Sequence, residues 1–401
     1  MEGFSPTSLF ECAARGDPTR IVAATPRTMP GRVLLVSSLI SLPYRVMRVA
    51  RAAGAEVHVL GTERSRCLAH SRDCHGFTAI GVPITGAYDP GLADEINRAI
   101  HGLGIDMVLP GDAEATRSLI AIRQSLDAPC FPMPSLAQFD LLNNKWKFTG
   151  LARELGLLCP QSWLARDATE LRELVEAGKI PLPAIAKPVN HDGGLGVLKL
   201  DPSGALAQVE KIDYAPIIVQ EFIPGRDIGA SIYCAHGEIK AFIAHELRHA
   251  TYHTLDEPAI EIALARVAAR LGLDGVYNFD MRLTSSGRIY YLECNPRFFF
   301  KMFQSMIAGV NFVAFGFGGA GPTTPPTGAA VRMPKALAAA ALVTPWRITR
   351  RDIAMLRYFG RDPVSTLRAA LGKDWERAGD AGQRHFTAPA MDASGDRTLI
   401  A

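Results

Sequence analysis

Apolar residues in the first third of the chain fall into short continuous runs separated by helical patterns. Residues 32–40, Arg-Val-Leu-Leu-Val-Ser-Ser-Leu-Ile, are an unbroken run of the kind found in strands buried on both faces. A helix is predicted from Pro43 to Ala53, with proline at its start and Gly54 at its end. Glu56 to Leu60 is the next strand, so the unit is β-α-β and the sheet is parallel with a right-handed crossover. The alternation continues with a strand near Thr78–Ile80, a helix over Pro90–Leu103 and a strand over Asp106–Leu109. A helix that Asp112 can cap then runs to Ser125. Residues 31–135 therefore predict a Rossmann-like domain. No GxGxxG follows the first strand, so no dinucleotide site is read there. Asp112 and Glu114 stand at a strand's carboxyl end, where ligands of such sheets bind, although a plain helix cap explains Asp112 as well.

From residue 136 the pattern changes. An amphipathic helix ends near Leu155 and another spans 169–178, and Pro183–Val189 is a strand that carries Lys187 near its end. A glycine-rich segment (Gly193, Gly194, Gly196) leads into a strand over Val197–Leu200. Strands over 217–220, 229–234 and 238–244 predict mostly antiparallel sheet, whereas 245–256 is polar and loop-like. A helix over 258–271 precedes a hairpin, Tyr277–Leu283 and Arg288–Cys294, turned at Thr284-Ser285-Ser286-Gly287. The expected organisation is a flexible leader (1–30), the Rossmann-like domain (31–135), and a second domain (136–318) in two parts, about 160–220 and a mostly antiparallel part at about 221–318. A linker and helical extension (319–378) and a disordered tail (379–401) complete it.

Composition narrows the function classes. The chain has 401 residues, 48% of them hydrophobic and 21% charged, a globular profile too long for a single ordinary core. A net charge of +3 does not point to nucleic acid or a membrane surface, and no apolar run reaches the length of a membrane span. Seven cysteines without a CxxC pair fit free thiols in a reducing cytoplasm. Cys67, Cys74, His70 and His75 form the one Cys/His cluster in the sequence, and its spacing does not favour zinc.

Two stretches carry chemistry. In the hairpin, Glu293 and Asn295 are two apart and point to one side, and antiparallel pairing can bring Asp280 there too. Two carboxylates and an amide suit a hard cation such as Mg²⁺, with Arg297 at the edge of that face; solvated acids and a simple Asn-Pro turn are the plain alternative. Upstream, the backbone N–H groups of the glycine segment can line a phosphate chain, with Lys187 as a point charge, although most glycine-rich turns are merely flexible.

In this order the pieces resemble the ATP-grasp superfamily, nearest its carbamoyl-phosphate-synthase-like and biotin-carboxylase-like branch, over residues 32–315. The resemblance implies an ATP-grasp fold, mixing α/β and α+β parts, with an N-terminal Rossmann-like (pre-ATP-grasp) domain and a helical C-terminal extension. It implies that Lys145 and Lys187 contact phosphates, that Gly193, Gly194 and Gly196 close over them, and that Glu221, Phe222 and Ile223 hold adenine. Asp227 would hold the ribose, Asp280, Glu293 and Asn295 would bind Mg²⁺ (or Mn²⁺), and Arg297 would face the transferred phosphoryl group. The implied cofactors are ATP and Mg²⁺, and the implied partners a small-molecule carboxylate and a nucleophile such as an amine, with a homo-oligomer left open. The implied activity is a carboxylate–amine (or –thiol) ligase, against a non-catalytic or partner-dependent ATP-binding protein or a small-molecule kinase. Where the family commonly has small residues after Asn-Pro-Arg, this chain has Phe298, Phe299, Phe300 and Lys301, which leaves the substrate open. Arg248 and His249 in the 245–256 stretch are further substrate-binding candidates, weighed evenly against a solvated loop.

Overall fold

The computed structural model describes residues 29–190, 194–326 and 328–367. Gly193, most of the leader and the whole of the tail expected over 379–401 lie outside the described residues.

Three sheets carry the architecture. The first is parallel, with β1 (Arg32–Ser37), β2 (Glu56–Gly61), β3 (Gly76–Ala79) and β4 (Met107–Pro110) in the order β3-β2-β1-β4. The apolar run of β1 is central and fully covered, with Val33 to Val36 all at 0% exposure. Helix Ser41–Ala52 connects β1 to β2, helix Pro90–Leu103 connects β3 to β4, and helix Ala113–Ile122 follows β4. Asp112 is a helix cap here. Its carboxylate accepts from Ala115 N at 2.9 Å and also ties down the loop after β1, accepting from Ser38 N at 2.7 Å and Leu39 N at 3.1 Å. Glu114 accepts from the Ser38 hydroxyl at 3.1 Å. Both acids are thus engaged within this sheet's own framework.

The second sheet is four-stranded and antiparallel: β5 (Ser162–Ala165), β6 (Ala184–Pro188), β7 (Leu198–Leu200) and β8 (Ile217–Glu221), in the order β5-β8-β6-β7. The third has six antiparallel strands: β9 (Arg226–Ala235), β10 (Glu238–Arg248), β11 (Thr251–Leu255), β12 (Gly275–Leu283), β13 (Ile289–Asn295) and β14 (Ala330–Arg332). Their order is β13-β12-β9-β10-β11-β14. The helix Pro258–Leu271 has the predicted bounds, with proline in its first turn and Gly272 closing it in the left-handed region at φ 61°.

Two expectations change. Residues 245–256 are sheet: β10 runs on to Arg248, and His249 and Ala250, both at positive φ, turn it into β11. The sequence concealed this because Arg-His-Ala-Thr carries none of the glycine or asparagine expected at such a turn. The extension also adds β14 to the sheet edge before the helices Pro334–Val343 and Arg350–Arg361.

Those helices return to the first sheet. The Arg48 guanidinium lies 3.6 Å from the ring centre of Tyr358, and its Nε is 2.9 Å from Asp73. Arg361 reaches the other Asp73 oxygen at 3.0 Å, while Tyr44 Oη donates to Asp362 at 3.2 Å. Arg332 of β14 pairs with the buried Asp352. One apolar core joins the helix Ser41–Ala52, the inner face of the third sheet and Tyr358.

Candidate active site

The second and third sheets face each other across a cavity of about 480 Å³. Its floor is one face of the third sheet. Alternation puts Asn278, Asp280 and Arg282 of β12 on that face, and Glu293 and Asn295 of β13 beside them. The pairing is direct: Asp280 stands opposite Glu293, and Asn278 opposite Asn295. A β-bulge follows immediately, because the next pair is Met281 with Tyr291. The bulge sets the register so that both acids project together.

The roof supplies cations. Lys187, near the end of β6, has its ammonium 3.5 Å from Glu293 Oε2; that of Lys145, first residue of the helix Lys145–Glu154, is 3.7 Å from the same oxygen. Both lysines are buried, at 6% exposure. Burial opposes ionisation of Glu293, but the two ammonium groups outweigh it and hold its carboxyl well below the usual carboxylate range. Burial, and then the Glu293 charge, pushes the Asp280 carboxyl upward. Burial also lowers Lys187. Asn295 Nδ2 donates to Asp280 at 3.2 Å, Asn278 Nδ2 donates to its other oxygen at 3.3 Å, and Arg297 donates to Asn295 Oδ1 at 2.9 Å.

The remaining sequence candidates line the same cavity: Gly194, Glu221, Phe222, Ile223 and Asp227. Gly196 is not among the lining residues, and packs instead against Pro188 and Tyr214. Asp227 is largely exposed and ion-paired to Arg282 at 2.8 Å. Arg248 and His249 sit at the exposed β10–β11 turn and do not line the cavity.

Three residues were missed. Asn278 was available from its i−2 position to Asp280. His245 and Lys301 required the tertiary structure. In the same sheet, Gly229 of β9 is paired with both Asp280 and His245. A Cβ at Gly229 would come within 2.9 Å of the His245 ring, so glycine gives the imidazole room to lie over β9. Lys301 Nζ is 3.1 Å from His245 Nε2. An ammonium donates, so Nε2 accepts and the buried ring is neutral, with its proton on Nδ1. Burial and then Lys301 lower this histidine well below its ordinary value. Across the site the order therefore runs from Lys145 and Lys187 of the roof to Glu293 and Asp280 of the floor and on to Lys301, with the buried His245 against it. Four cations, counting Arg297, surround two carboxylates, an electrostatic fit for a polyphosphate that brings a divalent ion. The donor set of two carboxylates and two amides is all-oxygen and hard, which fits Mg²⁺.

The phenylalanines after Arg297 are mainly core. Phe298 packs against Phe131 (4.8 Å between ring centres) and Phe299 against Phe312 (5.6 Å), while the Arg45 guanidinium lies 5.3 Å from the Phe300 ring centre. Of the stretch 298–301, Phe299, Phe300 and Lys301 also reach the cavity wall.

A family model described as ATP-grasp in the biosynthetic pathway with Ter operon matches residues 213–338. Carboxyaminoimidazole ribonucleotide synthase from Aspergillus clavatus, complexed with ATP, is similar with a TM-score of 0.61 at 14% identity, covering 79% of this chain and 87% of that one. The L-amino acid ligase from Bacillus licheniformis has a TM-score of 0.56 at 16% identity, covering 73% and 74%. The biotin carboxylase domain of Hydrogenobacter thermophilus 2-oxoglutarate carboxylase, in complex with MgADP, ADP and bicarbonate, also has a TM-score of 0.56 at 16% identity, covering 72% and 69%. No curated protein matches the chain in sequence. The chain has an ATP-grasp fold preceded by a parallel sheet of Rossmann-like type. The solved structures that share this fold include a biotin carboxylase domain, an L-amino acid ligase and a carboxyaminoimidazole ribonucleotide synthase. Among the described residues no helix is long and apolar enough to cross a membrane.

Proposed function

We propose that the protein is an ATP-dependent ligase that activates a small-molecule carboxylate as an acyl phosphate and passes it to an amine or similar nucleophile. The observation that carries this reading is the opposed Asp280–Glu293 pair beneath two buried lysines in one cavity. Glu221, Phe222 and Ile223 hold the adenine end, Asp227 the ribose, and Lys145 and Lys187 the phosphates. Gly194 lies in the loop that covers them. Asp280, Glu293 and Asn295 hold Mg²⁺, which supplies charge neutralisation on the phosphates. Mn²⁺ satisfies the same oxygen donors.

A substrate carboxylate oxygen attacks the γ-phosphorus, and the bond to the β–γ bridging oxygen breaks, releasing ADP. Arg297 and Lys187 neutralise charge on the phosphoryl group in flight. The amine then attacks the acyl carbon, the C–O bond to phosphate breaks, and inorganic phosphate leaves with that carboxylate oxygen. No protein nucleophile is used. Lys301, fixed by neutral His245 beyond Asp280, lies on the side away from the phosphate lysines, where it can attract the substrate anion.

The test is ADP and phosphate release from Mg-ATP screened against amino acids, bicarbonate and other small carboxylates, with amines added. Stimulation by at least one carboxylate is expected. Tight Mg-ATP binding with no stimulation by any of them would favour a non-catalytic nucleotide-binding protein.

A further inference from the structure

We propose that Glu56, His58 and His75, on the first sheet and apart from the nucleotide cavity, form a second metal site that takes a borderline transition-metal ion such as Zn²⁺. Glu56 and His58 are two apart on β2 and so share a face. His75 immediately precedes β3, and its N–H donates to Val57 O at 2.8 Å, which brings its side chain beside theirs. His58 Nε2 is 3.1 Å and His75 Nε2 3.4 Å from the same Glu56 oxygen, and all three ligand atoms lie within 4.8 Å of one another. The Cys/His cluster visible in the sequence is thereby divided. His70 faces the Cys67 carbonyl at 3.3 Å, and Cys74 donates to Gly76 O at 3.2 Å, with burial pushing its thiol up to about 11. His75 turns instead to β2.

Two imidazoles and one carboxylate are the donor set of a borderline divalent ion and not of Mg²⁺, which prefers oxygen alone. In a tetrahedral site with bonds near 2.0–2.1 Å, ligand atoms stand roughly 3.3 Å apart. The two Glu56 edges already have that length. The His58–His75 edge closes by rotation of His75, whose side chain is 57% exposed. His58 is held in place: it is buried, and a Cβ on Gly76 would lie 3.1 Å from its Nδ1, so glycine leaves the ring its room. The fourth position opens to solvent through His75. Arg32 Nε, 3.2 Å from the same Glu56 oxygen, competes for it and keeps the affinity below that of a closed structural site. A bound ion would tie the edge strand β3 to β2.

The test uses the untagged full-length protein saturated with Mg-ATP, titrated with Co²⁺ and separately with Zn²⁺ by calorimetry. Wild type is expected to bind one ion, with the visible absorption of tetrahedral Co²⁺. The substitutions His75→Gln and His58→Gln are each expected to remove that absorption and weaken binding at least about tenfold, the scale on which even indirect ligand partners act. Excess Mg²⁺ is expected not to displace the ion. Absence of Zn²⁺ binding by wild type, or undiminished binding by the exposed-site variant His75→Gln, overturns the proposal.

Discussion

Replacing Glu293 by glutamine tests the electrostatic logic of the cavity, because the change has opposite effects on ATP with and without its metal. In the free protein the carboxylate lies 3.5 Å from one buried ammonium and 3.7 Å from another. At an effective dielectric constant of 20 each contact amounts to roughly 4–5 kcal/mol of attraction, an upper bound from which the burial cost of Glu293 is subtracted. Its side chain keeps 21% exposure, and the two lysines then repel each other without a shared anion. A net destabilisation of about 3 kcal/mol follows, the lower end for a broken buried pair. For a protein of this size that lowers the thermal midpoint by about 4 °C. Metal-free ATP then meets the two phosphate lysines with Asp280 as the one carboxylate left of the opposed pair, so its affinity stays level or rises. Mg-ATP loses a ligand to its metal, and its affinity falls on the order of 10²-fold. Calorimetry with Mg-ATP and with ATP in excess chelator reads both. Equal Mg-ATP affinity in Glu293→Gln and wild type would show that Glu293 does not hold the metal, whatever happens to the thermal midpoint.

Two further outcomes follow from the same structure. Arg48→Met leaves Asp73, 4% exposed, with the half-exposed Arg361 as its remaining ion-pair partner. Denaturant unfolding should show a loss of about 3 kcal/mol, partly recovered when Asp73→Asn is added, and a loss under about 1 kcal/mol would remove this pair as an anchor of the C-terminal helices. His245 is held neutral, far below its unfolded pKa of about 6.5, so the unfolded chain binds the extra proton first. Its contribution is present above pH 6.5 and is lost as pH falls below that value. Wild type minus His245→Gln stability should therefore shrink between pH 6.5 and 5, a difference that cancels the opposing effect of Asp280. A pH-independent difference would contradict the buried neutral ring.

Much of this was legible in the sequence for local reasons. The run Val33–Val36 could be read as a central strand because a strand covered on both faces needs no polar alternation. The hairpin acids could be read because the two-residue period of a strand forces Glu293 and Asn295 to one side. What failed to appear depended on partners distant in the chain. His245 and Lys301 are 56 residues apart and meet because Gly229 leaves room between strands. His75 looked like part of a Cys/His cluster because its neighbours in the chain are near, but parallel pairing gave it to β2. The phenylalanines after Arg297 stand where small residues were expected, which left the substrate open. They are largely the core where the third sheet meets Phe131 and the helix at Phe312.

The most direct test of the central claim follows the oxygen. A carboxylate that stimulates turnover is supplied with its carboxyl group labelled with ¹⁸O, together with Mg-ATP and an amine, and the phosphate released is analysed by mass. Attack by the carboxylate on the γ-phosphorus requires one labelled oxygen in each inorganic phosphate formed during ligation. Unlabelled phosphate accompanying product, or phosphate retained on the product with none released, would contradict an acyl-phosphate ligase and leave a different phosphoryl transfer at this site.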